Sequence, residues 1–207
     1  LNPDLDLAAY REAFARDGRV RITDILNRNL AEEIHAVFER TPWRVTYRLN
    51  NEIVSLSGKD FQALTPAQRH ELKVGIYAET LKGYQFSYLH MPLTHSQSIA
   101  WDANQVVPKL HSFINAPAFI ALGREVSGMS QIVRADSIAT CYMRESFLTA
   151  HPDAPIDDRL VAYVFSFTKN WKIDWGGHLQ FHDDENGKIV DSYIPVFNAL
   201  SLFRVPQ

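Results

Sequence analysis

The sequence predicts an α+β fold, a helical layer supporting a small antiparallel sandwich or barrel, and three observations carry that expectation. Helical periodicity with capping and stop residues dominates the first two-thirds of the chain. From about residue 131 the pattern changes to short runs rich in β-branched and aromatic residues. Helices followed by an unbroken series of strands is the order of an α+β protein, not of repeating βαβ units. With 207 residues, 46% of them apolar and 22% charged, the chain can bury one sizeable core. A single domain, 1–207, is therefore expected, with a mainly helical support region over 1–130 and a β core over 131–207.

The elements follow in order. In "DLAAYREAFARDG" Asp6 caps a helix that carries Leu7, Tyr10 and Phe14 on one face, and Gly18 stops it. A short strand is expected in "RVRITDIL". In "NLAEEIHAVFER" Asn29 is the expected cap with Glu32 three residues on, and Leu30, Ile34, Val37 and Phe38 form the apolar stripe. "TPAQRHELKVGIYAETLKG" opens with Thr65 as cap and Pro66 in the first turn and stops at Gly83. Two further helices are expected within 103–114 and 117–127, separated by Asn115-Ala116-Pro117. "SIATCYM" and "LVAYVFSFT" then read as strands, the second apolar on both faces as a buried strand would be. "HLQFH" alternates, with Leu179 and Phe181 on one side and His178, Gln180 and His182 on the other. Asn186-Gly187 marks a hairpin turn into "KIVDSYIPV", and "FNALSLFRV" forms the last strand.

Composition narrows the function classes. The 21 basic and 24 acidic residues, for a net charge of −3, are spread without long like-charge blocks, so no nucleic-acid footprint is expected and a small or peptide-like partner fits better. One cysteine, Cys141, cannot form an internal disulfide, which favours the reducing cytoplasm. No apolar run approaches the roughly 20 residues of a membrane span, and no membrane partner is expected.

Two His-x-Asp triplets stand out, where chance supplies roughly half of one. His182-Asp183-Asp184 lies in "FHDDENGK", where Asp and Asn are ordinary turn formers. His151-Pro152-Asp153 lies at a strand end, where residues two apart project from one face. Two imidazoles and one carboxylate on one face of Fe(II) leave adjacent positions open for a bidentate cosubstrate and dioxygen, and His-x-Asp provides two of those three ligands. His178 and His182 are the C-terminal candidates for the third, yet both sit on a strand beside a turn.

The blocks "CYMRESFLTAHPD", "LVAYVFSFTKNWKIDWGGHLQF" and "FNALSLFRVPQ" together resemble the Fe(II)/2-oxoglutarate-dependent dioxygenases, specifically their prolyl-hydroxylase-like branch. The resemblance covers about residues 131–207, and "YREAFARDGRVRITDILNRNLAEEIHAVF" is similar to the N-terminal part of that branch. It implies a double-stranded β-helix, or jelly-roll barrel, with N-terminal helices packed on its outer face. It implies hydroxylation of an unactivated C–H bond, in a prolyl residue of a peptide or in a small amino-acid-like molecule, with succinate and CO2 as coproducts. Fe(II), 2-oxoglutarate and O2 are the implied cofactors, with ascorbate as an optional addition. His151 and Asp153 would be iron ligands, Tyr142 would touch the cosubstrate carboxylate, and Leu179 would wall its pocket. The bland readings are a core tyrosine and a packing leucine.

The third ligand, a histidine, is expected just beyond Gln207, with the basic residue that holds the far cosubstrate carboxylate beyond it. Two explanations stay open: the chain is part of a longer enzyme, or it is a non-catalytic jelly-roll binding module. A third reading is a metal hydrolase using His151, Asp153 and His178 or His182. Gly176-Gly177 matches the glycine pair of the family and permits irregular backbone beside the site. Tyr84, Phe86, Tyr88 and Met91 could form an aromatic groove for a peptide or simply pack as core. Arg144 reads as solvated, and Trp171 and Trp175 cover the site or pack beside it.

Overall fold

A computed structural model describes residues 1–93, 106–152, 159–183 and 185–205. The fold is α+β with antiparallel sheets. In chain order it runs α1 (Leu7–Asp17), β1 (Arg19–Thr23), α2 (Arg28–Phe38), β2 (Arg44–Leu49), β3 (Glu52–Ser57), α3 (Gly58–Ala63), α4 (Pro66–Glu79) and β4 (Phe86–Pro92). It continues through α5 (Val106–Ile114), α6 (Pro117–Ser127), β5 (Ile138–Cys141), β6 (Phe147–Leu148), β7 (Val161–Ser166), β8 (Leu179–His182), β9 (Ile189–Tyr193) and β10 (Ala199–Arg204). Two compact units divide these elements: Leu1–Glu39, Asp102–Asp136 and Pro152–Gln207 form the first, Arg40–Trp101 and Ser137–His151 the second.

The first unit is built on a three-stranded antiparallel sheet in the order β1-β10-β7. Its helices bury Phe14, Ile34, Val107, Ile114 and Val126 together with Ile22 of β1 and Leu200 of β10. On the opposite face of that sheet the hairpin β8-β9 is tied down by Phe181 against Phe203, with ring centroids 5.3 Å apart, and by the 2.8 Å Arg19–Asp191 ion pair. Covered from both sides, β10 has Ala199, Leu200, Ser201 and Leu202 all buried. The second unit is an antiparallel sheet in the order β3-β2-β4-β5, with β6 also paired to β4. Tyr47, Ile76, Phe86, Met91 and Leu93 are among its buried apolar residues. Among the described residues the strands form three sheets and no closed barrel. No helix of the described residues is long and apolar enough to cross a membrane.

Local signals placed the caps well. The Asp6 side chain accepts from Ala9 N, Gly18 takes a left-handed φ of 67° with its N–H on Phe14 O, and Thr65 with Gln68 forms a reciprocal capping box. The cap of α2 differs from expectation: Asn27, not Asn29, accepts from the helix backbone. Starting the helix at Arg28 turns Ala31, Ile34 and Val37 inward and leaves Leu30 40% exposed, because a side chain follows the helical phase, not its own hydrophobicity. Helix α4 ends at Glu79, short of Gly83.

The largest departure is in the region expected to be mainly helical, where β2, β3 and β4 occur. Asn50 and Asn51, at φ 53° and 66°, form a two-residue turn between β2 and β3, the left-handed conformation that a tight hairpin requires. Strand β7, expected to be buried on both faces, leaves Val164 42% exposed.

Candidate functional site

Beyond β6 the chain is held to the start of β4 through Thr149 and Gln85. Thr149 N–H donates to Gln85 O at 3.0 Å, the Thr149 hydroxyl donates to the same oxygen at 3.1 Å, and Gln85 N–H donates to Thr149 Oγ1 at 2.9 Å. Gln85 is 2% exposed and its Oε1 accepts from Phe86 N at 3.0 Å, so the clamp rests on buried structure. Two residues on, the exposed His151 ring places Nδ1 2.8 Å from Thr149 O. A carbonyl oxygen only accepts, so Nδ1 carries the proton and a neutral ring keeps its lone pair on Nε2. A metal-ligating imidazole has this form, with one nitrogen donating to a carbonyl or carboxylate and the other facing the ion. His151 therefore fits a metal ligand. Asp153, its expected co-ligand, lies outside the described residues.

A row of aromatic rings extends from His151 along the second unit. Tyr84 lies 4.9 Å from the His151 ring, Phe86 lies 5.7 Å from Tyr84, Tyr88 stacks on Phe86 at 4.9 Å, and Tyr142 lies 5.5 Å from Tyr88. Burial pushes the Tyr88 hydroxyl up to about 12 and raises that of Tyr142 as well, helped by the neighbouring tyrosines. Both phenols are neutral hydrogen-bond donors at physiological pH. Arg48 donates to Tyr84 O at 2.6 Å and to Asn51 Oδ1 at 2.9 Å, with its guanidinium carbon 5.7 Å from the centre of the Tyr84 ring.

Leu179, His178 and His182 belong to the first unit. Leu179 is half-buried on β8 opposite Tyr193. His178 has both ring nitrogens engaged, Nε2 with Ile173 O at 3.1 Å and Nδ1 with Ser192 Oγ at 3.1 Å, so ligating a metal would break one of these bonds. His182 donates from Nδ1 to Gly187 O at the β8-β9 turn, where the Asp183 carboxylate caps Glu185 N; Asp184 lies outside the described residues. No group of three or more His, Cys, Asp or Glu poised for a metal occurs among the described residues.

Trp171 and Trp175 pack edge to face at 5.3 Å, and Trp171 Nε1 donates to Gly176 O at 2.9 Å. Gly177 needs to be glycine on two counts: its φ is +66°, and a Cβ would stand 3.0 Å from the Trp171 ring. Arg144 is exposed and Met91 is buried. Gln85, Thr149 and Arg48 were not picked out from sequence. The only available signal was the alternation in "YQFSYLH", which places Tyr84, Phe86 and Tyr88 on one face of a strand.

Residues 137–207 match the family model of the 2OG-Fe(II) oxygenase superfamily, 71 of the 207 residues. The match supports that superfamily and with it an oxygenase, specifically a dioxygenase, that uses Fe(II), 2-oxoglutarate and O2. No curated protein is matched by the chain.

Proposed function

We propose that this protein is a prolyl-hydroxylase-like Fe(II)/2-oxoglutarate dioxygenase that hydroxylates an unactivated C–H bond in a prolyl residue or a proline-like small molecule. The net reaction consumes the substrate C–H, O2 and 2-oxoglutarate and yields the alcohol, succinate and CO2. The supporting observation is a single one: residues 137–207 match the 2OG-Fe(II) oxygenase superfamily, and that segment contains His151, whose Nδ1 lies 2.8 Å from Thr149 O. In this reading the antiparallel sheets belong to a double-stranded β-helix. His151 and Asp153 hold the iron together with a further histidine. Iron bound there would supply the site at which 2-oxoglutarate and dioxygen react.

The chain's own residues have plainer tasks. Tyr142, kept neutral by burial, donates a hydrogen bond to a cosubstrate carboxylate without adding negative charge. Leu179 gives the cosubstrate an apolar wall. The aromatic row headed by Tyr84 offers a stacking surface for a flat, apolar prolyl ring. Ascorbate is assigned as a supporting reductant, and the cytoplasm as the compartment on cysteine usage alone.

Anaerobic titration of the full natural chain with Fe(II) and 2-oxoglutarate should produce a visible metal-to-cosubstrate charge-transfer band, and His151→Ala should abolish it. Absence of the band, or an undiminished band in His151→Ala, refutes the assignment. 2-Oxoglutarate binding without a band would indicate a non-catalytic binding module. Succinate release with a prolyl peptide or with free proline, and one added oxygen atom in the product mass, separates the two substrate classes.

A further inference from the structure

We infer that Tyr88 is a second carboxylate-binding residue beside Tyr142, the two hydroxyls donating to one small organic carboxylate while Arg44 supplies positive charge. This assignment rests on the role proposed for Tyr142 and deepens it by naming its partners on the same sheet face.

The register sorts the sheet of the second unit into two faces. Val45, Tyr47 and Leu49 of β2 share one face with Leu89 and Met91 of β4. Helix α4 packs there: a Cβ on Gly75 would lie 3.6 Å from Leu49 Cδ1, and Tyr77 stacks on Phe147. The other face carries Arg44 opposite His90 and Thr46 opposite Tyr88, and Tyr142 joins it two residues after Thr140, the β5 partner of His90. Its chemistry is one-sided. Glu52, the one acidic residue in the strands of this sheet, pairs with Leu49 and so belongs to the helix-covered face. Arg44 donates to Ser55 through Nε and Nη2 and has no carboxylate partner among the described residues.

A half-buried phenol normally finds an acceptor for its hydroxyl. The Tyr88 and Tyr142 rings lie 5.5 Å apart, both half-buried, yet neither hydroxyl hydrogen-bonds to another described residue. Next to Tyr88 on this face, His90 Nδ1 is buried without a partner. Burial raises both phenols, and burial with the nearby Arg44 lowers His90, so all three side chains are neutral at physiological pH. The face therefore offers a cation and unpartnered neutral donors with no negative charge, the complement of an anion. Two phenolic donors can meet the two oxygens of one carboxylate, and their rings give its carbon skeleton an apolar wall. That carboxylate belongs either to a dicarboxylate cosubstrate or to an amino-acid substrate.

Tyr88→Phe and Tyr142→Phe each remove one hydroxyl and keep the ring. The full natural chain, metal-free and labelled at tyrosine 13Cζ, is titrated with 2-oxoglutarate, succinate, L-proline and the uncharged succinamide, with dissociation constants measured by calorimetry. The expected result is a saturable shift of the Tyr88 and Tyr142 signals with a carboxylate and none with succinamide. Each Phe variant should weaken binding by about tenfold or more. Shifts with 2-oxoglutarate and succinate alone assign the face to the cosubstrate, and competition by L-proline assigns it to the substrate. No saturable Tyr88 shift with any carboxylate, an equal shift with succinamide, or unchanged affinity in Tyr88→Phe overturns the inference. If Tyr142→Phe alone weakens binding, the role of Tyr142 stands and that of Tyr88 falls; if neither variant does, both fall.

Discussion

Replacing Asn198 should unfasten the central strand of the first unit. Asn198 precedes β10, is 1% exposed and sits at φ 56°, a left-handed conformation that Asn tolerates and most residues do not. Its side chain closes both backbone groups of Leu26: Oδ1 accepts from Leu26 N at 3.1 Å, and Nδ2 donates to Leu26 O at 2.8 Å. Leu26 is 2% exposed, so Asn198→Ala leaves a buried N–H and a buried C=O without partners. Each such group costs about 1–3 kcal/mol, and an alanine forced to positive φ adds about 1 kcal/mol. The expected loss is about 3–7 kcal/mol, a large share of the roughly 5–15 kcal/mol typical of a folded domain. Asn198→Gly loses the same two bonds without the backbone strain and should recover about 1 kcal/mol of that loss. Urea unfolding followed by far-UV circular dichroism measures both. A loss below about 1 kcal/mol in Asn198→Ala would show that the two Leu26 bonds do not hold the strand, refuting the reasoning.

Three other outcomes follow from the same structure. Gly177→Ala meets positive φ and the Trp171 ring together, so it should destabilise the protein by about 1–3 kcal/mol and shift tryptophan fluorescence as the Trp171–Trp175 pair opens. Thr65→Ala breaks the capping box of α4 and should cost about 1 kcal/mol in thermal or urea unfolding, with Thr65→Ser near wild type. Burial acts to raise the Asp191 carboxyl, but hydrogen bonds from Arg19, Ser192 and Tyr193 outweigh it and hold the group below the usual aspartate range. A depressed folded value contributes stability above the unfolded value of about 3.9, which is lost as pH falls through the folded value. The stability gap between wild type and Asp191→Asn should therefore be widest above about pH 5 and close on acidification, as read from urea midpoints across that range.

Helix ends were legible because their signals are local: Asp6, Gly18, Thr65 and Pro66 act on backbone groups within one turn. The strand runs from Ser137 onward were legible for a similar reason, since β-branched and aromatic runs bounded by turn residues report a local backbone preference. Strands β2 and β3 carry local signals of their own, the alternation of Val45, Tyr47 and Leu49 with polar residues and the Asn50-Asn51 turn, but these lie between helical segments in a region whose periodicity is mainly helical. In the site, His151 was visible as half of a triplet. Its tautomer was not, because that depends on a clamp to Gln85, 64 residues earlier than Thr149.

From residue order alone came the α+β class, the caps at Asp6 and Thr65, the hairpin at Asn186-Gly187 and the candidate His151. Pairing required the folded chain. That β10 lies between β1 and β7, with Leu202 opposite Val20 and Tyr163, follows from the burial of apolar faces supplied by segments far apart in the chain. No residue of β10 encodes that choice by itself. A cap satisfies its hydrogen bonds within a few residues, whereas a strand or a metal-ligand imidazole is completed by whichever distant backbone the fold brings to it.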